Sequence, residues 1–164
     1  MKEISPKETF RPYSCVFVIS VDKKGKPGGM VAGWSMRCAL NPPLFAVALS
    51  KKGYTHKLIR QSKEFVIAVP NKKLEKAVEF FGTTHGNKVD KFRITGIKTL
   101  KAKYLKSPLL KNATINLECK LQKQVNAGDH IIFIGKILAA YFNPNKKILM
   151  VFKKVNGKRI YKEF

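Results

Sequence analysis

The sequence predicts a β-rich α+β fold in which an antiparallel barrel is flanked by two or three helices. Many short runs rich in aromatic and β-branched residues are separated by turn formers, and only two or three segments have helical spacing. Strands do not alternate with long helices, and the one glycine cluster, GKPGG, is not followed by a helix that could hold a pyrophosphate. We therefore expect an antiparallel barrel and exclude Rossmann and P-loop folds.

The length and composition predict one folded domain. A chain of 164 residues has a usual size for a single domain, and we expect residues 1–164 to form one. Hydrophobic residues make up 45% and charged residues 26% of the chain, which excludes a disordered or collagen-like protein. No apolar run reaches the roughly 18 to 20 residues that span a bilayer, and the N-terminal MKEISPKETF lacks an apolar signal core. We therefore expect a cytoplasmic protein without a membrane segment.

The charge of the chain is strongly positive. Lys and Arg number 33 against 10 Asp and Glu, so the formal net charge is +23. Such a charge suits a protein that binds polyanions, and a nucleic-acid-binding barrel stays open as an alternative function. The lysines are dispersed, however, without a basic block or an aromatic-basic RNA signature, which is typical of a solvated surface. Nucleic acid is therefore the less favoured partner.

Few residues offer hydrolytic, metal or thiol chemistry. Three widely spaced cysteines predict neither a disulfide framework nor a zinc site, so we expect reduced thiols and no bound metal. Cys15 and Cys119 lie in apolar or alternating segments and are expected to be buried, whereas Cys38 stays unassigned. The three histidines and the few carboxylates show no metal-ligand or paired acid/base spacing. The remaining candidate is a binding site.

Three strands are predicted before residue 50. Residues 13–21, YSCVFVISV, are rich in aromatic and β-branched residues and end at the turn formers DKKGKPGG. A second apolar run covers residues 30–34, and Asn-Pro-Pro at 41–43 separates it from a third run at 44–49. The first two runs predict a hairpin, and the third predicts a buried strand.

A helix is expected on either side of the next strand. Apolar and polar residues over 54–62 indicate a short amphipathic helix that is capped near Thr55. Residues 64–69, EFVIAV, have the composition of a strand. Apolar residues at helical spacing over 72–82 predict the second helix.

The second half of the chain predicts a polar loop followed by strands. The segment 83–91, TTHGNKVDK, has no periodicity and is a candidate binding loop. Residues 113–124 alternate and residues 130–142 are mostly apolar, so we expect two strands that pair as a hairpin. A last strand is predicted over 148–153, before a basic tail.

One stretch has the features of a phosphate site. Residues 50–56, SKKGYTH, leave the end of a predicted strand and open a predicted helix, so backbone N–H groups, hydroxyls and cations converge there. A plain turn with an N-cap threonine and solvated lysines remains an alternative. The candidate phosphate ligands are Ser50, Lys51, Lys52, Thr55 and His56.

The order of these motifs resembles that of a known family. Residues 28–70 run through a small-residue strand, Asn-Pro-Pro-Leu, a strand, Ser-x-x-x-x-Thr-His, a helix and a strand. This order is similar to that of the flavin reductase-like, flavoredoxin-type proteins. The resemblance continues through VDKF at 89–92 and GDHIIFIGKI at 128–137, so it covers nearly the whole chain.

The resemblance implies an FMN-binding split barrel with flanking helices, usually a homodimer. It implies that NADH or NADPH reduces FMN, which then passes electrons to free flavin, ferric iron, a quinone or a partner protein. Small residues would let the backbone approach the flavin ring, and His130 is the candidate catalytic residue. The implied cofactor contacts are Met30, Val31, Ala32, Gly33, Trp34, Ser35 and Met36 at the ring, Ser50, Lys51, Lys52, Thr55 and His56 at the phosphate, and Lys91, His130 and Phe164 nearby.

Several alternatives stay open beside this resemblance. Trp34 suits the core or a dimer interface as well as a flavin site, and the His130 imidazole suits a bond to its turn backbone. The family often has Asn or His where this chain has Gly28 and Gly29, so a side-chain contact to flavin is missing. A flavin carrier that is reduced by another protein is the second functional hypothesis. The basic surface would steer anionic nicotinamides or an acidic redox partner.

Overall fold

Antiparallel strands dominate the computed structural model, which describes residues 13–164. In chain order the strands are β1 (Tyr13–Ser14), β2 (Val16–Val21), β3 (Pro27–Ala32), β4 (Ser35–Ala39), β5 (Leu44–Ser50), β6 (Glu64–Val69), β7 (Thr99–Leu100), β8 (Leu109–Leu110), β9 (Ile115–Ala127), β10 (His130–Phe142), β11 (Leu149–Val155) and β12 (Lys158–Glu163). The helices are α1 (Thr55–Ser62), α2 (Glu75–Thr83) and α3 (Lys91–Thr95), with a 3-10 turn (Lys72–Leu74) before α2.

Seven of these strands form the central sheet, in the order β3, β2, β6, β9, β10, β5, β4. Every neighbouring pair in it is antiparallel. Strands β1, β11 and β12 form a three-stranded sheet, and β7 and β8 form a two-stranded one. The expected fold class, a β-rich α+β split barrel with flanking helices, is confirmed.

Strand β2, next to the edge strand β3, is buried on both faces. Val18 belongs to one apolar cluster together with Phe65 of β6 and Ile59 of α1. Phe17 belongs to a second cluster, where its ring meets that of Phe81 in α2 edge to face at 5.3 Å between centroids. Because successive residues of a strand point to opposite faces, β2 joins the two clusters and holds α1 and α2 on the sheet.

The strand predicted over 30–34 is wrong in its bounds. Strand β3 begins earlier, at Pro27, and pairs with β2 from Val21 opposite Pro27 to Val16 opposite Ala32. Proline is tolerated there because it is the first residue of an edge strand. The turn is therefore shorter than predicted, and the Asp22 carboxylate closes it by accepting hydrogen bonds from the Lys24 and Lys26 amides at 2.8 and 2.9 Å. Residues 35–39 form the additional strand β4.

The prediction of a basic tail after residue 153 is also wrong, because Lys158–Glu163 forms strand β12. Strands β11 and β12 pair from Leu149 opposite Glu163 to Val155 opposite Lys158. The two residues between them, Asn156 and Gly157, have φ angles of 48° and 77°. Asn-Gly with two positive φ angles is the pairing preferred in two-residue hairpin turns.

Both main helices lie where they were predicted, with different starts. Helix α1 begins at Thr55 and its cap residue is Tyr54, which makes no side-chain capping bond, so the predicted Thr55 cap is wrong by one residue. The first residues of the second helix form the 3-10 turn instead, where the Asn71 side chain accepts from the Lys73 amide at 3.0 Å. The polar loop predicted over 83–91 ends at α3, whose cap Asp90 accepts from the Arg93 amide at 3.0 Å.

The cysteines are placed as expected. Cys15 and Cys119 are buried, and burial raises the pKa of Cys15 to about 11 and that of Cys119 to about 12, so both are inert thiols. Cys38 is exposed on β4. Within residues 13–164, no helix has the length and apolar character needed to cross a membrane.

Candidate functional site

The register of β5 and β10 brings two of the sequence motifs together. Ser50, the last residue of β5, lies directly opposite His130, the first residue of β10. The next amide, that of Lys51, donates to the carbonyl of Asp129 at 3.0 Å. The candidate phosphate loop and the Gly-Asp-His turn are therefore neighbours, although 80 positions separate them in the numbering.

Trp34 joins the same region from the bend between β3 and β4. Its carbonyl accepts from the Ala48 amide at 2.9 Å, and its ring lies 4.6 Å from that of His130 between centroids, at a tilt of 41°. The side chain is 65% exposed, so the alternative of a core tryptophan is wrong. An exposed indole packed at a tilt against an imidazole gives an exposed aromatic face, which suits a planar ligand or a partner surface.

His130 is oriented by a carboxylate rather than by the turn backbone. Its Nδ1 lies 2.6 Å from Oδ1 of Asp129, and this hydrogen bond holds the pKa of the Asp129 carboxyl below its usual value. A carboxylate only accepts, so Nδ1 carries the proton. Nε2, on the other side of the ring, is then the nitrogen left to meet a ligand.

The loop of residues 50–56 has the shape of an anion site. The Gly53 amide donates to the Ser50 carbonyl at 3.0 Å, and the chain enters α1 within two residues. Lys51 and Lys52 are exposed, whereas Thr55 is buried at the first helical position. The first N–H groups of a helix have no acceptor within the helix, so this arrangement offers amide donors and two cations to an anion.

Met30 of β3 lies beside this loop. A Cβ placed on Gly53 would be 3.7 Å from Sδ of Met30, so the Met30 side chain lies next to the loop. The small-residue strand and the phosphate loop, predicted separately, therefore border one region.

Of the candidate residues, His56 gives the strongest indication of a ligand-binding site. The ring is buried, and its Nε2 lies 3.0 Å from the carbonyl oxygen of Lys51, which can only accept. Burial lowers the pKa of His56, so the neutral ring with its proton on Nε2 is favoured and Nδ1 is left as an acceptor. Among residues 13–164, this Nδ1 is buried without a hydrogen-bond partner. Buried polar atoms are normally satisfied, so a group that donates to Nδ1 fits here.

Lys91 holds β3 against α2. Its ammonium group is buried and donates to the carbonyls of Phe81 at 2.8 Å and of Gly29 at 3.2 Å. Burial lowers the pKa of Lys91 to about 8 because the charged form loses hydration. The recorded bonds of Lys91 therefore lead to the backbone of β3 and α2 rather than to the phosphate loop.

The glycines at 28 and 29 lie at closely packed positions. A Cβ on Gly29 would lie 2.8 Å from the carbonyl oxygen of Val18, and a Cβ on Gly28 would lie 2.6 Å from Cδ1 of Leu58. The Gly29 contact is with backbone, which cannot move aside, so β3 approaches β2 more closely there than a side chain allows. The absence of an Asn or His at 29 thus follows from how tightly the strand is packed, whereas at Gly28 the flexible end of Leu58 could shift to admit a side chain.

The remaining predicted residues lie in three environments. Val31 packs against the cluster of α2, and Ala32 is buried in the cluster of α1, so their backbone is what a ligand could reach. Gly33 faces Tyr13, since a Cβ there would lie 2.4 Å from Cε2 of that ring. The other three are Ser35, which is partly exposed on β4, Met36, which is exposed on the same strand, and Phe164, which lies beside Ile148 and exchanges backbone hydrogen bonds with it.

Sequence reasoning missed a groove of about 500 Å3 next to the phosphate loop. Tyr54 and Leu58 of α1 line one side, and Gly28 and Gly29 of β3 line another. The loop of residues 86–92 closes it. Most of this segment belongs to the predicted binding loop of residues 83–91, but its position against Tyr54 depends on contacts between distant parts of the chain.

Comparison with known proteins identifies the family of the chain. Residues 11–158 match the family described as flavin reductase like domain. An uncharacterized protein of Archaeoglobus fulgidus is 40% identical over 113 residues, which are 69% of this chain and 64% of that protein. In the first curated relatives the match spans 48% to 64% of the relative, so the chain covers less than two thirds of their length.

Two solved structures share the whole fold. The flavoredoxin of Methanosarcina acetivorans has a TM-score of 0.88 at 24% identity, over 100% of this chain and 91% of that one. The NADH:FAD oxidoreductase of Streptomyces globisporus has a TM-score of 0.84 at 24% identity, over 100% of this chain and 98% of that one. At this identity the likeness establishes the split-barrel architecture, and function has to be argued from the site.

Proposed function

Because this chain belongs to the family of flavin reductase-like domains, we propose that it binds FMN and passes electrons from NADH or NADPH through FMN to an acceptor. The observation that carries the proposal is the meeting of the Trp34–His130 ring stack with the cationic loop of residues 50–56 at one end of β5 and β10. A flavin nucleotide needs a flat contact for its ring and an anion site for its phosphate, and both stand side by side here.

The phosphate of FMN suits the start of α1. Lys51 and Lys52 would supply positive charge, the Thr55 hydroxyl a donor, and the first amides of the helix further donors. The Ser50 hydroxyl lies 3.3 Å from the Lys52 amide and would turn that residue toward the ligand. A phosphate is thus met by the kinds of donor that it prefers.

His56 suits a different atom of the same ligand. The neutral ring offers Nδ1 as an acceptor, and a fully ionised phosphate has no proton to donate to it. A hydroxyl of the ribityl chain does donate, so we assign His56 to that part of FMN. This pairing would satisfy the one buried side-chain polar atom that residues 13–164 leave without a partner.

The ring of FMN would lie along the bend between β3 and β4. The side chains of Val31 and Ala32 point into the two apolar clusters, which leaves backbone N–H and C=O groups for the polar edge of the ring. When bound, FMN supplies the hydride and electron chemistry, and the chain supplies its position. Trp34 would shield one side of the site from water.

His130 would orient the reduced nicotinamide. Asp129 fixes the imidazole with the proton on Nδ1, so Nε2 accepts a hydrogen bond from a donor such as the carboxamide of the nicotinamide. The net charge of +23 would also draw the anionic dinucleotide, or an acidic partner protein, toward the surface.

An exposed apolar edge supports assembly as a homodimer. Strand β4 is an edge of the central sheet, and near it Trp34 is 65%, Met36 63% and Leu40 77% exposed. Apolar side chains grouped on an unpaired edge are typical of an interaction surface. We expect the protein to sediment as a dimer; a monomer at the concentration used for activity would contradict this assignment.

The proposed function is tested by the visible absorption spectrum of the protein without oxygen. FMN is titrated in first, and NADH or NADPH follows. We expect flavin bands that shift on binding and then bleach within the mixing time, because the nicotinamide reaches FMN directly. Bands that persist would favour a carrier reduced by another protein. Absence of flavin binding would overturn the proposal and direct the search to salt-dependent binding of nucleic acid.

A further inference from the structure

The bend that carries Trp34 joins the two edges of the central sheet. Strand β3 is the first strand of that sheet and β4 is the last. Strand β3 ends at Ala32 and β4 begins at Ser35, so two residues, Gly33 and Trp34, connect the edges. Three steps of extended backbone reach about 11 Å at most, so the sheet has to curl until its edges meet at this bend. We call Gly33–Trp34 the seam, and any shift of one edge against the other moves its indole.

The ring of Tyr13 packs directly on the seam. A Cβ on Gly33 would lie 2.8 Å from Cδ2 and 3.1 Å from Cζ of Tyr13, and the three atoms nearest to it all belong to this ring. Gly33 is not among the glycines with a positive φ, so the ring rather than the backbone conformation requires glycine at this position. The ring therefore supports the seam from one side.

Tyr13 comes from a different sheet than the seam does. Its strand β1 lies in the sheet of β11 and β12. Tyr13 is paired with Val151 of β11, and Val151 is paired with Tyr161 of β12, so these three residues form one row across the sheet. Val151 is buried in the apolar cluster that includes Phe81 of α2. The row thus ties the backbone of Tyr13 to the core, and the ring reaches from there to the seam.

Arg159 of β12 holds the Tyr13 ring in place. Its guanidinium group donates hydrogen bonds to the phenols of Tyr13 and Tyr161. Burial lowers the pKa of Arg159, but these hydrogen bonds raise it above its usual value. A Cβ on Gly82, in the last turn of α2, would lie 3.7 Å from Nη1, so the cation also stands at a helix end that favours positive charge. One cavity of about 30 Å3 is lined by Tyr13, Gly33 and Arg159 together.

We propose that Tyr13 is a positioning residue, whose ring supports Gly33 and thereby fixes the Trp34 indole at the candidate site. Arg159 sets the position of that ring, so the β11–β12 hairpin acts on the site through Tyr13. The indole is 65% exposed and lies beside the His130 ring, and water does not hold an exposed side chain in one orientation. The consequence for flavin rests on the proposed function, whereas the placement of Trp34 can be measured without flavin.

The only tryptophan of the chain makes this measurement specific. Indole fluorescence reports Trp34 alone, and its anisotropy falls when the indole gains rotational freedom. In the flavin-free protein we expect Tyr13→Ala to lower this anisotropy, because the seam loses its support. Ordering one mobile side chain on binding weakens affinity by about two- to tenfold, so FMN should bind Tyr13→Ala weaker by about that factor. Tyr13→Phe keeps the ring and should lie between Tyr13→Ala and the wild type in both measurements.

A second pair of variants tests the role of Arg159. Arg159→Met keeps a long side chain but removes the hydrogen bond to Tyr13, so it should match Tyr13→Phe in Trp34 anisotropy and in FMN affinity. Lys158→Met is the control, since it removes the same charge from the neighbouring, exposed position of β12, whose side chain leaves the other face of the strand. It should match the wild type. Thermal unfolding shows whether each variant folds.

Gly33→Ala approaches the same contact from the seam, and it keeps the proposal testable if Tyr13→Ala does not fold. The new methyl group overlaps the Tyr13 ring, so the bend has to shift and the emission of Trp34 should change. In the Tyr13→Ala background the methyl group loses its three closest contacts, so Gly33→Ala should add less than it does in the wild type.

Each outcome supports or overturns the proposal. A parallel fall of Trp34 anisotropy and FMN affinity, in the order wild type, Tyr13→Phe, Tyr13→Ala, supports it. Unchanged anisotropy in Tyr13→Ala, or additive effects with Gly33→Ala, would overturn the support of the seam. A fall in anisotropy with FMN affinity retained would overturn the role toward flavin, and equal effects of Lys158→Met and Arg159→Met would overturn the role of Arg159. Failure of the proposed function is distinct, because the wild type would then not bind FMN.

Discussion

Replacing Lys52 and Thr55 together by alanine is expected to weaken FMN binding by about two orders of magnitude. The double variant removes one cation and one buried hydroxyl from the start of α1. A hydrogen bond to a charged group contributes about 1.5 to 3 kcal/mol, so losing one such bond and part of a second costs about 3 kcal/mol, or about 100-fold in affinity. Quenching of flavin fluorescence on titration measures the affinity directly.

The control for this prediction removes the same charge elsewhere. Lys76 is exposed on α2, and Lys76→Ala lowers the net charge by one without touching the loop of residues 50–56. If Lys76→Ala weakens FMN as much as the double variant, the effect is long-range electrostatics. If the double variant binds FMN as the wild type does, the phosphate lies elsewhere and our site assignment is wrong.

Replacing Phe65 by alanine is expected to lower the free energy of unfolding by about 3 to 5 kcal/mol. Phe65 is fully buried in β6, opposite Cys119 of β9. Its ring occupies the space left by Gly135 in β10, where a Cβ would lie 2.6 Å from Cζ of Phe65. The ring thus depends on that glycine, and its removal leaves a cavity that rigid strands cannot close.

Adding a methyl group at Gly135 of β10 tests the same contact from the other side. Gly135→Ala alone should destabilise the protein by about 1 to 3 kcal/mol, because the new methyl group overlaps a buried ring. Combined with Phe65→Ala, the methyl group no longer meets the ring and keeps only its close approach to Cβ of Cys119 at 2.9 Å, so the double variant should lose less than the sum of the two single losses. Urea unfolding measures the free energy of unfolding of all three variants. Phe142→Ala is the control, and we expect it to lose little stability because Phe142 is 67% exposed. Additive losses would contradict the packing of Phe65 on Gly135.

Local patterns were sufficient for the elements whose signals are short-range. The hairpin of β9 and β10 followed from alternation and a Gly-Asp turn, and α2 followed from helical spacing. The errors arose where a local signal was overlooked or overridden. Asn156-Gly157 was a hairpin signal that reads directly from the sequence, and it gives the strand β12 that was taken for a tail. Pro27 begins a strand because β2 offers it an edge, which no local pattern states.

The features of the candidate site likewise fall into those that local sequence predicts and those that depend on tertiary contacts. The motif of residues 50–56 predicted an anion site from its own chemistry, and the resemblance placed His130 and Trp34 beside it. Three other features depend on the register of β5 and β10 and on the packing of α1. They are the contact between the two rings, the hydrogen bond by which Asp129 orients the imidazole, and the burial of His56 Nδ1 without a partner. For the groove next to the phosphate loop the sequence indicated one wall, the candidate binding loop of residues 83–91, but the groove itself could not be predicted, because its three walls come from segments that only folding brings together.

The sequence by itself determined the family, through motifs ordered along nearly the whole chain, and the β-rich class, through short local patterns. The tertiary structure decided which strands are neighbours, why Gly29 carries no side chain, and where the space for a ligand remains. The physical reason is that close packing and hydrogen-bond satisfaction are properties of groups that meet in space. Gly135 shows this most directly, since the ring of Phe65 and Cβ of Cys119, from two other strands, leave no room for a side chain there.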